Sequence, residues 1–182
     1  MKTKIIFIDG PDVTGKTTLI ENVVEFYNDV ANWDEDKPLE HYEIKELNFN
    51  KGLTGLLRIN TPTHFEILRV LLPNLDPRYA YIVDRCFFSN IVYDKVLRNE
   101  SADASQEFRV WCKNNLSVLE IILDRDYATE DFNDDLIKVN KETFNRVVDE
   151  YRKLDVEHRY NILNNSENEQ IVVDLIGGHI CR

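Results

Sequence analysis

Apolar residues along the chain fall into short continuous runs and into longer stretches with helical spacing. The continuous runs predict buried strands at 4–9, 41–47, 79–83, 118–123 and 160–163. The helical spacing predicts helices at 16–33, 61–72, 87–97, 104–114, 144–154 and 171–176. Strands that alternate with helices predict an α/β fold, with a mostly parallel sheet flanked by helices on both faces.

The segments between these elements add few further features. Residues 124–139 are irregular and acidic, the Asn-rich stretch 164–170 is typical of a surface loop, and Gly177 is expected to cap the last helix. Neither repeats nor a Pro/Gly-rich linker divide the chain. Its 182 residues therefore predict a single domain over 1–182.

The composition is that of a globular protein, with 43% hydrophobic and 30% charged residues. No apolar run approaches the ~20 residues of a membrane span, and the run before Gly10 is too short for a signal peptide. Cys86, Cys112 and Cys181 lack metal-ligand spacing and suit a reducing compartment, so we expect a cytoplasmic protein without a membrane partner. The formal net charge of −11 disfavours nucleic acid, whereas a few local cations can still hold a small phosphorylated ligand.

Residues 10–17 read GPDVTGKT and match the phosphate-loop pattern G-x-x-x-x-G-K-[ST], directly after a buried strand and before an amphipathic helix. The glycines let backbone N–H groups turn toward phosphate oxygens, and the helix adds the positive end of its dipole. Lys16 is expected to reach the β- and γ-phosphates of ATP, and Thr17 to offer its hydroxyl to Mg²⁺. The residues expected to hold the triphosphate are Gly10, Pro11, Asp12, Val13, Thr14, Gly15, Lys16, Thr17 and Thr18.

A second charged pair, Asp84 and Arg85, ends the third buried strand in the stretch YIVDRCFFSNIVYD (81–94). Because ligands of such sheets bind at the carboxyl ends of the strands, this pair is expected to lie near the phosphate loop. The carboxylate of Asp84 can hold Mg²⁺, and the guanidinium of Arg85 can bind a second phosphate bidentately. The two motifs together predict a small P-loop kinase.

With these motifs the sequence resembles the thymidylate kinase family. IDGPDVTGKTT (8–18) is similar to the opening of that family, and VDRCFFSNIVY (83–93) to its DR[YH]-x-x-S-x-x-A-[YF] segment. HFEILR (64–69) resembles its thymine-binding stretch, and TFNRVVDEYRKL (143–154) the helix that follows its lid. The resemblance spans roughly residues 1–165 as scattered motifs.

The resemblance implies a five-stranded parallel sheet, a homodimer and phosphorylation of dTMP to dTDP by ATP and Mg²⁺. It implies that Arg85 binds the acceptor monophosphate, that Phe65 stacks on the pyrimidine and that Arg69 hydrogen-bonds its exocyclic oxygen. It further implies that Asp12 faces the sugar hydroxyl of the acceptor. The remaining residues that it places around the base or sugar are Ser89, Asn90 and Tyr93.

The chain departs from the family at several positions. Family members carry an arginine in the phosphate loop or in the lid to stabilise the transferring phosphoryl group, but here the loop has Val13. The acidic lid-like segment at 124–139 offers Arg125, the candidate catalytic cation, and Lys138. Cys86 replaces the usual aromatic residue or histidine. Because of these departures, the sequence does not determine which base the acceptor nucleotide carries.

The cation that the family places after its second strand corresponds to Lys45 or Lys51, of which Lys51 is our candidate for substrate binding. A compact, divergent chain of this kind indicates a viral enzyme of nucleotide metabolism, which would act in the host cytoplasm.

A deoxynucleoside kinase is the main alternative. A phosphomonoester has a second pKa of about 6, so its oxygen is already nucleophilic at pH 7, whereas a 5′-hydroxyl needs a carboxylate base. Glu46, or less plausibly Glu43, is available for that role after the second strand. Two further alternatives are a P-loop kinase that acts on a modified nucleotide or on DNA, and a nucleotide-binding switch, for which an N-K-x-D motif is missing.

Overall fold

The computed structural model describes residues 2–31, 43–47, 62–133 and 138–181. Five parallel strands form the main sheet in the order β2-β3-β1-β4-β7, and β5 and β6 form a small antiparallel hairpin. The strands are β1 (Lys4–Asp9), β2 (Glu43–Leu47), β3 (Tyr79–Asp84), β4 (Ser117–Leu123), β5 (Phe132–Asn133), β6 (Lys138–Val139) and β7 (His158–Tyr160). The predicted five-stranded parallel sheet is confirmed.

Six α-helices surround this sheet in the described part of the chain. They are α1 (Lys16–Ala31), α2 (Pro62–Leu71), α3 (Phe87–Tyr93), α4 (Asp103–Asn115), α5 (Lys141–Arg152) and α6 (Ser166–Ile180). A short 3₁₀ turn at Leu72–Asn74 follows α2, where Pro73 cannot continue the helix. A π-helical turn at Asp94–Arg98 follows α3 and shortens the single helix predicted at 87–97.

Two apolar clusters pack on opposite faces of the sheet because side chains alternate along each strand. On β1, Phe7 belongs to the cluster under α2, α3, α4 and α5, whereas Ile6 and Ile8 belong to the cluster under α1 and α6. All three side chains are buried. A sheet buried on both faces explains why β1 reads as a continuous apolar run.

The register of the strands brings the charged ends of β1 and β3 to one edge of the sheet. Ile8 of β1 pairs with Asp84 of β3, and Asp9 pairs with Ile122 of β4. Gly10 follows at a φ of 152°, and a side chain there would overlap the carbonyl oxygen of Leu123. Glycine at this position therefore lets the chain leave β1 and turn into the phosphate loop.

The predicted boundaries were wrong in the last third of the chain. β7 lies at His158–Tyr160, where it pairs with β4, and not at 160–163. The Asn-rich stretch is a loop only to Asn165, whose side chain accepts a hydrogen bond from the Asn168 backbone and starts α6. Gly177 lies inside α6 and does not cap it.

The acidic segment is also more regular than predicted, because the hairpin of β5 and β6 lies within it. Parts of three predicted elements, 32–33, 41–42 and Thr61, lie outside the described residues. Within the described ranges, every helix is too short or too polar to cross a membrane. Cytoplasmic location and single-domain organisation remain predictions.

The three cysteines are free thiols. Cys86 and Cys112 are buried, and burial raises the pKa of Cys86 and raises that of Cys112 to about 12. Both are therefore packing residues with little thiolate, whereas Cys181 is exposed.

Candidate functional site

The ammonium group of Lys16 is folded into the phosphate loop. It donates hydrogen bonds to the carbonyl oxygens of Gly10 (3.1 Å) and Pro11 (2.6 Å) and to the hydroxyl of Thr14 (3.0 Å). Burial, together with the nearby guanidinium of Arg85, lowers the pKa of Lys16 to about 8. The loop therefore holds a desolvated cation whose charged form an incoming phosphate group would stabilise.

The backbone of the loop turns through the left-handed region at Val13 (φ 57°) and Gly15 (φ 82°). Val13 is β-branched, which makes this conformation costly, and 62% of the residue is exposed to solvent. Thr17 and Thr18, in the first turn of α1, are exposed. The loop thus has the turn and the open first helical turn expected of a phosphate loop.

Arg85 occupies a strained position directly after β3. Its φ of 60° is left-handed, and its backbone N–H donates to the carbonyl oxygen of Ile8 at 3.0 Å. Its guanidinium is ion-paired with Asp12 and donates to the hydroxyl of Ser89 at 3.3 Å. The strand end and the start of α3 therefore aim Arg85 at the phosphate loop.

The carboxylate of Asp12 is held by hydrogen bonds within the site and is largely shielded from solvent. One carboxylate oxygen accepts from Arg85, the other accepts from the hydroxyl of Tyr93 at 2.6 Å, and only 18% of the side chain is exposed. Its backbone carbonyl accepts from the guanidinium of Arg125 at 3.0 Å. The structure thus brings together four residues that were singled out in the sequence.

The position of Arg125 separates two interpretations of this residue. The alternative to a catalytic role is that Arg125 merely pairs with Asp124 or Asp126. Asp124 is ion-paired with Arg152, and Nε of Arg125 donates to the backbone carbonyl of Asp126 at 3.3 Å. The guanidinium of Arg125 reaches the phosphate loop and lies 5.0 Å from the ring centre of Phe144. Arg125 therefore contacts the phosphate loop, and its role as the lid cation stays a prediction.

Asp9 is a residue of the site that the sequence pattern did not reveal. Its carboxylate is fully buried and accepts five hydrogen bonds from neutral groups. The donors are the backbone N–H groups of Gly10, Cys86 and Ser89 and the hydroxyls of Ser89 and Tyr151, at 2.7–3.1 Å. The available signal for Asp9 was a charged residue at the end of an apolar strand. For Tyr151 the helical spacing of apolar residues in 144–154 indicates a core residue.

Asp84 fits the expected role of a metal ligand. Its Oδ1 is buried without a hydrogen-bond partner, and burial raises the pKa of the carboxyl group, although Lys16 and Arg85 oppose part of that rise. A buried orphan carboxylate oxygen needs a cation or a donor. Within the described residues no group of three His, Cys, Asp or Glu side chains could hold a metal, so Mg²⁺ would take further ligands from Thr17, nucleotide and water.

The two residues predicted to read the base lie on α2. Phe65 is 3% exposed and stacks on Phe108 with ring centres 4.7 Å apart, as a core residue does. Arg69 pairs with Glu66 at 2.5 Å, and its Nε is buried without a hydrogen-bond partner. Their contact with a pyrimidine stays a prediction.

Two further predicted substrate contacts stay untested. Asn90 lies in α3, one residue after Ser89, and its backbone N–H donates to the carbonyl of Cys86 at 3.5 Å. Lys51 lies outside the described residues.

In sequence the chain is similar to a known kinase. No protein family model matches the chain. A thymidylate kinase of Caldicellulosiruptor saccharolyticus is 29% identical over 108 residues, which cover 54% of this chain and 52% of that protein. The chain therefore spans about half the length of this curated relative.

Solved structures match the chain over nearly its whole length. A thymidylate kinase from Ehrlichia chaffeensis superposes with a TM-score of 0.58 at 16% identity, covering 97% of this chain and 99% of that one. The YorR protein from Bacillus subtilis, solved in complex with phosphorylated GDP, superposes with a TM-score of 0.54 at 16% identity, covering 96% of each chain.

The fold is that of the P-loop nucleotide kinases. In sequence the chain is similar to a thymidylate kinase, as its motifs predict.

Proposed function

We propose that the protein is a nucleoside monophosphate kinase that transfers the γ-phosphoryl group of ATP to a pyrimidine deoxynucleotide, with dTMP as the favoured acceptor. The observation that carries this proposal is the position of Arg85, whose guanidinium lies against Asp12 of the phosphate loop. One anion-binding loop with a separate guanidinium beside it suits a reaction between two phosphorylated substrates.

The donor side of the reaction uses the phosphate loop. The ammonium group of Lys16 would exchange its carbonyl partners for the β- and γ-phosphates of ATP, and the loop N–H groups would hold the remaining oxygens. Mg²⁺, held by Asp84 and Thr17, would neutralise charge on those phosphates.

The acceptor side uses Arg85. An acceptor phosphate would compete with Asp12 for the guanidinium, and the released carboxylate could then accept a hydrogen bond from the sugar hydroxyl. The acceptor oxygen attacks without a general base because it is already ionised at pH 7. Arg125, which already reaches Asp12, would stabilise the charge of the transferring group.

One observation disfavours a nucleoside as the acceptor. Alternation along β2 puts Glu46 on the face of Ile44, under α1, where Glu46 adds to the raised pKa of Asp84. Asp9 and Ser89, which belong to the Arg85 side of the site, lie on the opposite face. Glu46 is therefore badly placed to serve as the base for a 5′-hydroxyl bound beside Arg85.

The test is a coupled assay of ATP consumption with nucleosides and with their monophosphates. We expect turnover with dTMP, weaker turnover with related pyrimidine deoxynucleotides, and none with thymidine. Turnover with thymidine but not with dTMP would replace this proposal by a deoxynucleoside kinase. Turnover with purine monophosphates alone would support a nucleoside monophosphate kinase but would refute the proposed pyrimidine acceptor.

We further propose that the enzyme is a homodimer. Apolar side chains are exposed on the outer side of α2 and α4, with Val70 70% exposed, and a second copy could cover them. The exposed residues are Ile67, Val70, Leu71 and Val110. A monomeric mass by light scattering at micromolar concentration would contradict this proposal, whereas a dimer that Val70→Glu dissociates would support it.

A further inference from the structure

The buried carboxylate of Asp9 joins three parts of the molecule that are distant in sequence. It binds the first N–H of the phosphate loop, at Gly10, and two N–H groups at the start of α3, at Cys86 and Ser89. It also binds the hydroxyl of Tyr151, which comes from α5, 142 residues away. Because a buried carboxylate is costly unless its oxygens are satisfied, these contacts hold the three parts in one arrangement.

This arrangement determines where Arg85 points. Arg85 precedes Cys86 in a strained left-handed conformation, and such a conformation persists only where the surrounding contacts enforce it. Asp9 supplies that restraint on the backbone, and Ser89 supplies one on the side chain. The guanidinium donates to the Ser89 hydroxyl, which itself donates to Asp9 at 2.7 Å.

Tyr151 closes the same chain of hydrogen bonds. Its hydroxyl donates to Asp9 at 2.8 Å and lies 3.1 Å from the Ser89 hydroxyl, so one group contacts both restraints on Arg85. The phenol is fully buried, and burial raises its pKa well above the usual value, which keeps it protonated as a donor.

The helix that carries Tyr151 also holds the segment of Arg125. Phe144 lies under the Arg125 guanidinium, Asn145 exchanges two hydrogen bonds with the backbone of Ala128, and Arg152 donates to the Arg125 carbonyl at 2.8 Å. A movement of α5 would therefore move both cations that face the phosphate loop.

We propose that Tyr151 is a positioning residue: through Asp9 and Ser89 it fixes the guanidinium of Arg85 for the acceptor phosphate and links it to the Arg125 segment. The inference rests on the proposed function, because it assigns Arg85 to the acceptor. If Tyr151 were only a core residue, its replacement would lower the stability of the protein but would change the KM values for ATP and for the acceptor equally.

The kinetic test uses Tyr151→Phe, which removes one hydroxyl and keeps the ring. The matched control is Tyr27→Phe, because the Tyr27 hydroxyl makes a partly buried hydrogen bond to the Val173 carbonyl at 3.1 Å, and Tyr27 packs on the α1 and α6 face of the sheet. We expect Tyr151→Phe to raise the acceptor KM about tenfold with the ATP KM changed less than about twofold. Tyr27→Phe should leave both constants within about twofold. Equal changes in both KM values, or none, would overturn the proposal.

A second measurement does not depend on which acceptor the enzyme uses. The side-chain N–H signals of Arg85, assigned in ¹⁵N NMR spectra by comparison with Arg85→Lys, report whether its guanidinium is held. We expect these signals to shift and broaden in Tyr151→Phe and to stay unchanged in Tyr27→Phe. Unchanged Arg85 signals in Tyr151→Phe would refute the positioning role even in an active enzyme. Altered signals in a protein that phosphorylates no monophosphate would support positioning and refute the proposed function.

Discussion

Asp12 and Arg85 form an ion pair across 73 residues of sequence, between the phosphate loop and the end of β3. The pair gives the acidic residue of the loop a cationic partner, and it holds a guanidinium beside the loop. Under the proposed function, an acceptor phosphate would compete with this carboxylate for the guanidinium.

Replacement of Asp12 tests its contact with the sugar of the acceptor. We expect Asp12→Ala to raise the acceptor KM by roughly tenfold, because a hydrogen bond to a charged group is lost, and to leave the ATP KM nearly unchanged. Steady-state kinetics with each substrate varied measures this. Asp76→Ala, which breaks an exposed ion pair with Arg78, is the control. An unchanged acceptor KM would contradict a contact with the sugar and would leave the ion pair with Arg85 as the role of Asp12.

Binding of nucleotide should depend on pH through Lys16. Because burial lowers the pKa of Lys16 to about 8 in the free protein, about half of the ammonium groups have lost their proton at pH 8. Phosphate groups favour the charged form, so binding raises this pKa and takes up protons, and affinity falls as pH rises above 8. Calorimetry at pH 8 in buffers of different ionisation enthalpy measures the uptake. Equal uptake by Lys16→Met would assign those protons to another group.

The lowered pKa of Lys16 should also make the stability of the free protein depend on pH. Affinity for nucleotide should fall as pH rises above 8, whereas the free energy of unfolding should rise. The folded pKa of Lys16 lies below the ordinary value of 10.5, so the unfolded chain binds more protons between pH 8 and 10.5. The contribution of Lys16 to the free energy of unfolding should therefore rise with pH across this range, by at most about 3 kcal/mol. Denaturant titrations of the wild type and Lys16→Met at pH 7 and pH 10 check the sign. The free energy of unfolding of the wild type, relative to that of Lys16→Met, should rise from pH 7 to pH 10, and a fall would contradict the assignment.

Loss of Arg125 should affect the chemical step. We expect Arg125→Ala to lower kcat on the order of 100-fold, because a cation that stabilises developing charge is removed. Arg78→Ala, at an exposed turn, is the matched control. A change confined to KM would mean that Arg125 binds substrate in the ground state only.

An arginine at position 13 should partly replace Arg125. Val13 lies exposed at the tip of the loop, and its left-handed backbone suits an unbranched side chain better than valine. We expect Val13→Arg to recover at least about tenfold of the kcat lost in Arg125→Ala. Single-turnover assays of the double variant measure this recovery, and no recovery would show that the two positions do not face the same charge.

Adjacent glycines of α6 should respond oppositely to alanine. Gly178 has open space around it, so Gly178→Ala should stabilise the protein by about 0.5–1 kcal/mol through better helix propensity. A side chain on Gly177 would overlap the Tyr27 hydroxyl, so Gly177→Ala should lose the bond to Val173 and destabilise by about 1 kcal/mol. Thermal unfolding compares the two variants. Tyr27→Phe should remove most of the penalty of Gly177→Ala, and a penalty that persists would have another cause.

Local pattern predicted most of the strands and helices and the phosphate-loop motif, but it did not predict the hairpin of β5 and β6. The continuous run 4–9 gave the bounds of β1 because a strand buried on both faces needs apolar residues throughout. The phosphate loop was predictable because its chemistry is contained in eight consecutive residues. The same reasoning misplaced β7, since pairing with β4 and not apolarity decides where that strand ends.

The sequence by itself determined the α/β architecture, the phosphate loop and the charged pair at the end of β3, because each follows from a pattern of residues that are close in the sequence. Only the tertiary structure decided what Asp9, Asp12, Tyr151 and Arg125 contact. Asp9 and Tyr151 meet across 142 residues, and Arg125 reaches Asp12 across 113. Such contacts depend on strand order and helix packing, which periodicity does not encode. The physical reason is that the apolar pattern of a strand or helix predicts which of its faces is buried, but not which distant residue contacts that face.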